Sequence, residues 1–172
     1  MDLKNIIRNV PDFPIKGIQF KDITTLLKDK DGFRYCIDQI TQHCEGLNID
    51  YIAGIEARGF IIGAPVAYNL GIGFLPIRKK DRLPYKVEQI TYQLEYGENT
   101  IEIHQDAFRK GDRIMVVDDL LATGGTTLAV FKLIERLNGI VVGADFIIEL
   151  EMLKGREKLQ GYEVFSLVKY DI

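Results

Sequence analysis

Between Val116 and Thr127 the chain reads VVDDLLATGGTT: two aliphatic residues, two adjacent acids, then a small turn bearing glycines and hydroxyls. Gly124 and Gly125 let the backbone aim several N–H groups at one anion. Thr123 and Thr126 add hydroxyl donors, Ala122 leaves room, and a helix starting here adds partial positive charge. Together these make a phosphate cup that needs no cation. Carboxylates repel phosphate, so Asp118 and Asp119 at its rim require a different partner. Vicinal sugar hydroxyls, which donate hydrogen bonds, supply one, and a ribose 5-phosphate satisfies both halves of the stretch. A helix-capping turn would need one acid or threonine, not two acids and a run of small residues. The stretch is not a P-loop, because no Lys precedes Thr126, and the chain contains no GxGxxG fingerprint.

Three other segments carry candidate chemistry. In IEARGF, Arg58 falls at a strand-to-helix turn, where its planar fork suits diphosphate oxygens; a solvated helix-start arginine is the alternative. IRKKDRLPYK gathers Arg78, Lys79, Lys80, Arg82 and Lys86 in an otherwise acidic protein, either as a solvated loop or as a lid bringing charge to an anion. In GIQFKDIT, Phe20 offers a face for stacking a base, or simply a core side chain.

The elements that must position these residues follow from hydrophobic period. Residues 2–9 read as a short helix ended by Pro11 and Pro14, followed by loop or short strand in IKGIQFKDITTLL. A helix is expected from about Asp31 to Glu45, a buried strand over Asp50–Glu56, and a helix in RGFIIGAPVAYNL. GIGFLPIR is the next strand, the charged stretch KKDRLPYKVEQI interrupts the pattern, and TYQLEYGENTIEIH alternates like a β-hairpin. DRIMVVDD is a strand, and GTTLAVFKLIERL a helix with Leu128, Phe131, Ile134 and Leu137 on one face. GIVVGADFIIEL and YEVFSLV complete the strands. This α/β alternation predicts one domain: a mostly parallel twisted sheet flanked by helices, with the hairpin as an antiparallel excursion. Ligands of such sheets bind at the carboxyl ends of the strands, where the loops after YIAGI, FLPI and IMVV converge.

The chain has 172 residues and a net charge of −3, which argues against a general nucleic-acid or membrane-surface binder. No apolar run approaches the roughly 20 residues of a membrane span, and MDLKNIIRNVPDFP lacks a signal pattern, so a cytoplasmic protein is expected. Cys36 and Cys44 lie eight residues apart on a helix, about 12 Å of rise, too far for a disulfide. His43 and His104 are isolated in sequence, so no zinc constellation is expected and both read as surface or packing residues.

VVDDLLATGGT resembles the phosphoribosyl-diphosphate signature of the type I phosphoribosyltransferases. PDFPIKGIQFKDIT, YIAGIEARGF, PIRKKDRLP, LEYG, IEIHQDAF and LKGREKL are similar, in order, to segments of the adenine-specific branch. The resemblance implies the type I fold, with a small hood over about residues 1–30 and a mobile lid over about 79–96. It implies transfer of ribose 5-phosphate from phosphoribosyl diphosphate to adenine, giving AMP and diphosphate, with Mg²⁺ carried mainly by substrate, in a homodimer. It assigns Asp118 and Asp119 to the sugar hydroxyls and Ala122–Thr126 to the 5′-phosphate. Ala57, Arg58, Arg78 and Lys79 go to diphosphate, in a loop that in some members carries a cis peptide around Glu56 and Ala57. Gln19, Phe20 and Lys21 go to adenine, although an aliphatic residue is more usual than Gln19 and Arg more usual than Lys21. In relatives acting on hypoxanthine and guanine an acid inside the phosphate loop faces the base; Ala122 stands there and cannot titrate. The resemblance therefore sends base chemistry to Glu95, with Tyr96 closing over it. Another purine as substrate is the nearest rival. A regulator that only senses phosphoribosyl diphosphate is the rival from another class, but only about 10 residues precede PDFP, too few for a DNA-binding domain.

Overall fold

The computed structural model describes residues 1–93 and 97–171. After a 3₁₀ turn at Leu3–Asn5 come β1 (Arg8–Pro11), β2 (Gln19–Asp22), α1 (Thr24–Lys28), α2 (Lys30–Cys44), β3 (Tyr51–Ile55) and α3 (Arg58–Leu70). The chain continues through β4 (Gly73–Lys79), β5 (Val87–Gln93), β6 (Glu98–His104), β7 (Arg113–Leu121) and α4 (Gly125–Arg136). It ends with β8 (Ile140–Leu150), α5 (Gly155–Lys158) and β9 (Glu163–Tyr170).

Seven strands form one sheet in the order β5-β6-β4-β3-β7-β8-β9. β3 pairs in parallel with β4 and β7, and β8 pairs in parallel with β7 and β9, while β6 runs antiparallel to both β4 and β5. β7 shows why the sheet is two-faced. Ile114 and Val116 join the core under α4, and Met115 and Val117 join the core under α2 and α3, all four fully buried. A strand covered on both sides reads as a continuous apolar run. α2 is capped by the Asp29 carboxylate, which accepts from the Gly32 N–H at 2.7 Å, and it buries Cys36, Ile40 and Cys44 at four-residue spacing. In α3 the buried stripe is Gly59, Ile62, Gly63 and Val66. A Cβ on Gly59 would sit 2.7 Å from the Val117 carbonyl oxygen, so only glycine lets the first turn of α3 lie against the end of β7.

β3 and β7 are neighbours, but β3 leads through α3 to β4 on one side and β7 leads through α4 to β8 on the other. Their carboxyl ends therefore splay a crevice between two diverging loops.

The hood differs from expectation. Residues 2–9 are not a helix: a 3₁₀ turn capped by Asp2 leads into β1, which pairs antiparallel with β2 from Arg8↔Asp22 to Pro11↔Gln19. Pairing with a distant strand overrides local helix preference here. The stretch expected to interrupt the pattern also contains structure, since Val87–Gln93 pairs residue for residue with Glu98–His104. The short helix α5, inside LKGREKL, has no counterpart in the sequence expectation.

Candidate active site

Three strand ends deliver the candidate residues to one crevice. β7 carries Asp118 and Asp119 and runs into the Ala122–Thr126 turn, β3 leads into Glu56, Ala57 and Arg58, and β4 ends in Arg78 and Lys79. Two contiguous hollows result. One, of about 210 Å³, is lined by Arg58, Asp118, Asp119 and the whole turn from Ala122 to Thr126. The other, of about 160 Å³, is lined by Glu56, Arg78, Lys79, Tyr92 and Asn99. Asp118 and Thr126 border both.

The first hollow has the character of an anion site. Gly124 precedes α4 at φ +76°, and no side chain caps the helix, so its leading N–H groups have no capping acceptor. The turn is shaped from beneath by α5. A Cβ on Gly155 would lie 2.2 Å from the Ala122 carbonyl oxygen, and one on Gly124 would lie 2.6 Å from that of Gly155. Arg156 fixes this support by donating from Nε and Nη2, one edge of its guanidinium, to the two oxygens of the buried Glu149 carboxylate (Nε to Oε1, 2.9 Å) and from Nη1 to the Val164 carbonyl. Burial alone would raise the Glu149 carboxyl; donation from Arg156 and Ser166 outweighs it and holds the group below its ordinary range. Thr126 receives further support from Tyr92, whose hydroxyl lies 3.0 Å from its Oγ1.

The two acids differ in environment. Asp119 is buried and takes the Arg58 Nε–H on Oδ2. Asp118 accepts the Asp119 backbone N–H at 2.9 Å and faces the hollows. Burial and the adjacent Asp119 carboxylate push the Asp118 carboxyl well above the usual carboxylate range. Burial opposes the charge on Arg58, but Asp119 outweighs it and the guanidinium pKa rises.

On the cationic side, Glu56 accepts from Arg78 Nε at 2.9 Å and from the Lys79 N–H at 3.0 Å. The Glu56–Ala57 peptide is cis, as the resemblance implies for some members. The turn that follows β4 is clamped by Glu102, a buried acid between Ile101 and Ile103. Its carboxylate accepts the N–H groups of Asp81, Arg82 and Leu83 at 3.2, 2.9 and 2.8 Å. Within the stretch expected as lid, residues 81–83 are thus anchored and Val87–Gln93 is strand; Glu95 and Tyr96 lie outside the described residues.

In the hood, Phe20 is half-buried and meets Phe13 edge to face at 5.2 Å. The side chains beside it are already engaged. Gln19 accepts from Asn9 at 2.7 Å, and Lys21 donates to Asn9 at 3.0 Å with its ammonium 4.3 Å from the centre of the Tyr170 ring. Asp22 stands close enough to Arg58 for each to feel the other's charge, which ties the hood to the crevice.

Sequence reasoning missed Glu56 as the holder of Arg78, and it missed Tyr92, Glu102, Glu149 and Arg156 altogether. Glu102 and Glu149 did carry a signal, as acids set between aliphatic residues within strands. The reading of His43 as isolated also needs correction. His43 is not isolated in space: Nδ1 lies 3.1 Å from Asp145 Oδ2, and the Cys44 thiol donates to the same oxygen at 3.3 Å. A separation of 102 residues hid the first contact.

The phosphoribosyl transferase domain family matches residues 21–167. Adenine phosphoribosyltransferase from Clostridium kluyveri is 59% identical over the full length of both chains. The chain belongs to the adenine phosphoribosyltransferase family. The crystal structure of a family member from Thermoanaerobacter pseudethanolicus superposes with a TM-score of 0.95 at 52% identity, covering 98% of each chain. The Saccharomyces cerevisiae member, complexed with an imino-altritol bisphosphate and adenine, superposes at 0.92 with 38% identity, covering 97% of each. The sheet and its flanking helices are the type I phosphoribosyltransferase fold, and the protein is a pentosyltransferase. Among the described residues no helix is long and apolar enough to cross a membrane.

Proposed function

We propose that this chain transfers ribose 5-phosphate from 5-phosphoribosyl 1-diphosphate to adenine, releasing AMP and diphosphate, in purine salvage. The observation that supports it best is the pair of joined hollows with Asp118 at their seam. One end offers an uncapped helix N-terminus to a phosphate, the other offers cations to a diphosphate, and the acids between face a sugar.

In this reading the Ala122–Thr126 turn holds the 5′-phosphate, and Asp118 and Asp119 accept hydrogen bonds from the ribose hydroxyls. The bond from the anomeric carbon to diphosphate breaks while the imidazole nitrogen of adenine attacks. Positive charge developing on the sugar is offset by the two carboxylates, and negative charge on the leaving group by Arg58, Arg78 and Lys79. Phe20 stacks on the base. Because the Gln19 and Lys21 side chains are occupied by Asn9 and Tyr170, adenine is read by backbone groups of that strand. Glu95 takes the imidazole proton, and Tyr96, within a lid rooted at the 81–83 turn, helps exclude water.

Magnesium fits this donor set. Asp118 presents carboxylate oxygen, the hard donor such ions prefer, beside the hollow that would take diphosphate. When bound with substrate, the ion neutralises diphosphate charge. The resemblance further supports a homodimer, for which exposed Ile61 and Tyr68 on α3 offer an apolar surface, and the sequence pattern suits a cytoplasmic location.

The test is to incubate protein, Mg²⁺ and phosphoribosyl diphosphate with adenine, hypoxanthine, guanine or xanthine and follow nucleotide formation. AMP forms from adenine in strong preference to the others. Failure to make AMP would overturn the reading.

A further inference from the structure

His43, Cys44 and Asp145 lie on the sheet face covered by α2, and none of them borders either hollow of the active site. Their donor atoms, Nδ1, Sγ and a carboxylate oxygen, all fall within 4.8 Å of one another. Metal–ligand bonds of about 2.0–2.3 Å in a tetrahedral zinc site put neighbouring donors roughly 3.4 Å apart. The two spacings centred on Asp145 Oδ2 are 3.1 Å to His43 and 3.3 Å to Cys44. The third spacing, His43 Nδ1 to Cys44 Sγ, is bounded at 4.8 Å, so seating an ion among the three draws these two side chains together.

The surroundings carry the same signature. The His43 ring is held flat on Phe165 at 4.2 Å and 7°, so its orientation is set by packing. Its other nitrogen, Nε2, is 3.6 Å from Glu163 Oε1, a long contact that a small approach would turn into the carboxylate hydrogen bond that commonly orients a metal-binding imidazole. Independently, Asp145 is fully buried and its Oδ1 has no hydrogen-bond partner among the described residues. A buried carboxylate with an idle oxygen is costly. Cys44 also borders a separate surface hollow of about 280 Å³, a route from solvent.

We propose that His43 Nδ1, Cys44 Sγ and Asp145 bind a zinc-class divalent cation, with Glu163 orienting the imidazole. One sulfur, one nitrogen and one carboxylate select zinc or cobalt over magnesium or calcium, which take all-oxygen sets. Binding expels the Cys44 thiol proton and any proton on His43 Nδ1 to solvent. The resulting thiolate and the Asp145 carboxylate together neutralise the dication. The fourth position is left to water.

Cobalt(II), added to the protein without substrate, is the probe. The wild-type chain takes up one equivalent and shows the near-ultraviolet charge-transfer band of a cobalt–thiolate bond, which oxygen donors at the active site cannot produce. Cys44→Ala loses the band and Cys36→Ala keeps it, identifying the sulfur. In competition with a chromophoric chelator, Asp145→Asn and Glu163→Gln weaken zinc binding, the latter about 10-fold. AMP formation by each variant reports whether it is folded. A wild-type protein with no sulfur band, or a band lost in Cys36→Ala and kept in Cys44→Ala, overturns the proposal.

Discussion

Arg58 donates its Nε–H to Asp119 across the crevice between β3 and β7. The residue proposed for diphosphate and the residue proposed for ribose are thus partnered with each other in this structure. Substrate must share or replace this contact, so removing either side chain disturbs both ends of the site. Asp119→Asn should lower turnover by about 10²-fold or more, whereas Lys80→Ala, on the exposed turn, should leave it nearly unchanged. Steady-state rates of the two variants at saturating substrates decide this; comparable losses would contradict the assignment.

Asp118 makes a pH prediction of definite sign. Its carboxyl lies above the ordinary range because of burial and then the Asp119 charge. An acid raised on folding binds its proton more tightly in the folded state, so it destabilises the protein as pH rises through that range. Asp118→Asn removes this cost. It should melt higher than wild type at about pH 8, with the gain shrinking as pH falls and vanishing towards about pH 3, where the unfolded carboxyl is itself largely protonated. Activity should fall in the same variant. Thermal melts across pH measure the first effect and AMP formation the second.

Gly155→Ala tests the floor of the phosphate cup. The new methyl meets the Ala122 carbonyl oxygen at 2.2 Å and must push the turn out of shape. The Michaelis constant for phosphoribosyl diphosphate should rise at least 10-fold, about 1.4 kcal/mol, while that for adenine moves little. Initial-rate kinetics with each substrate varied in turn separate the two.

Glu102→Ala strips the acceptor from three backbone N–H groups at residues 81–83. The turn should loosen, and trypsin should cut after Arg82 several-fold faster than in wild type. Mass spectrometry of a timed digest reads this directly.

Phe20→Ala should raise the Michaelis constant for adenine by roughly 5- to 150-fold, the equivalent of about 1–3 kcal/mol of stacking. That for phosphoribosyl diphosphate should stay within about 2-fold. Equal effects on both would move Phe20 from the base pocket to the core.

The parts legible in sequence were those with a local period or a local chemical contradiction. α3 and α4 announced themselves by apolar spacing, and the acid pair beside a glycine turn could be explained only by a ligand. The unread parts depend on distant partners. Arg8–Pro11 is a strand only because Gln19–Asp22 lies beside it. Glu102 becomes a clamp only once β6 lies beside β4, and His43 gains a role only when α2 settles on β8. Arg156 resembles any surface cation until Glu149, seven residues earlier, is buried beneath it.

The stacking of Gly155 under Gly124 bears on the order of synthesis. Every residue proposed to touch substrate lies before position 127, yet the turn that would receive the phosphate rests on α5, and α5 is tied down by Val164 and Ser166 of the last strand. A nascent chain that has all its ligand-facing residues outside the ribosome would still lack a shaped cup. On the proposed reading, the cup takes its shape only as β9 emerges.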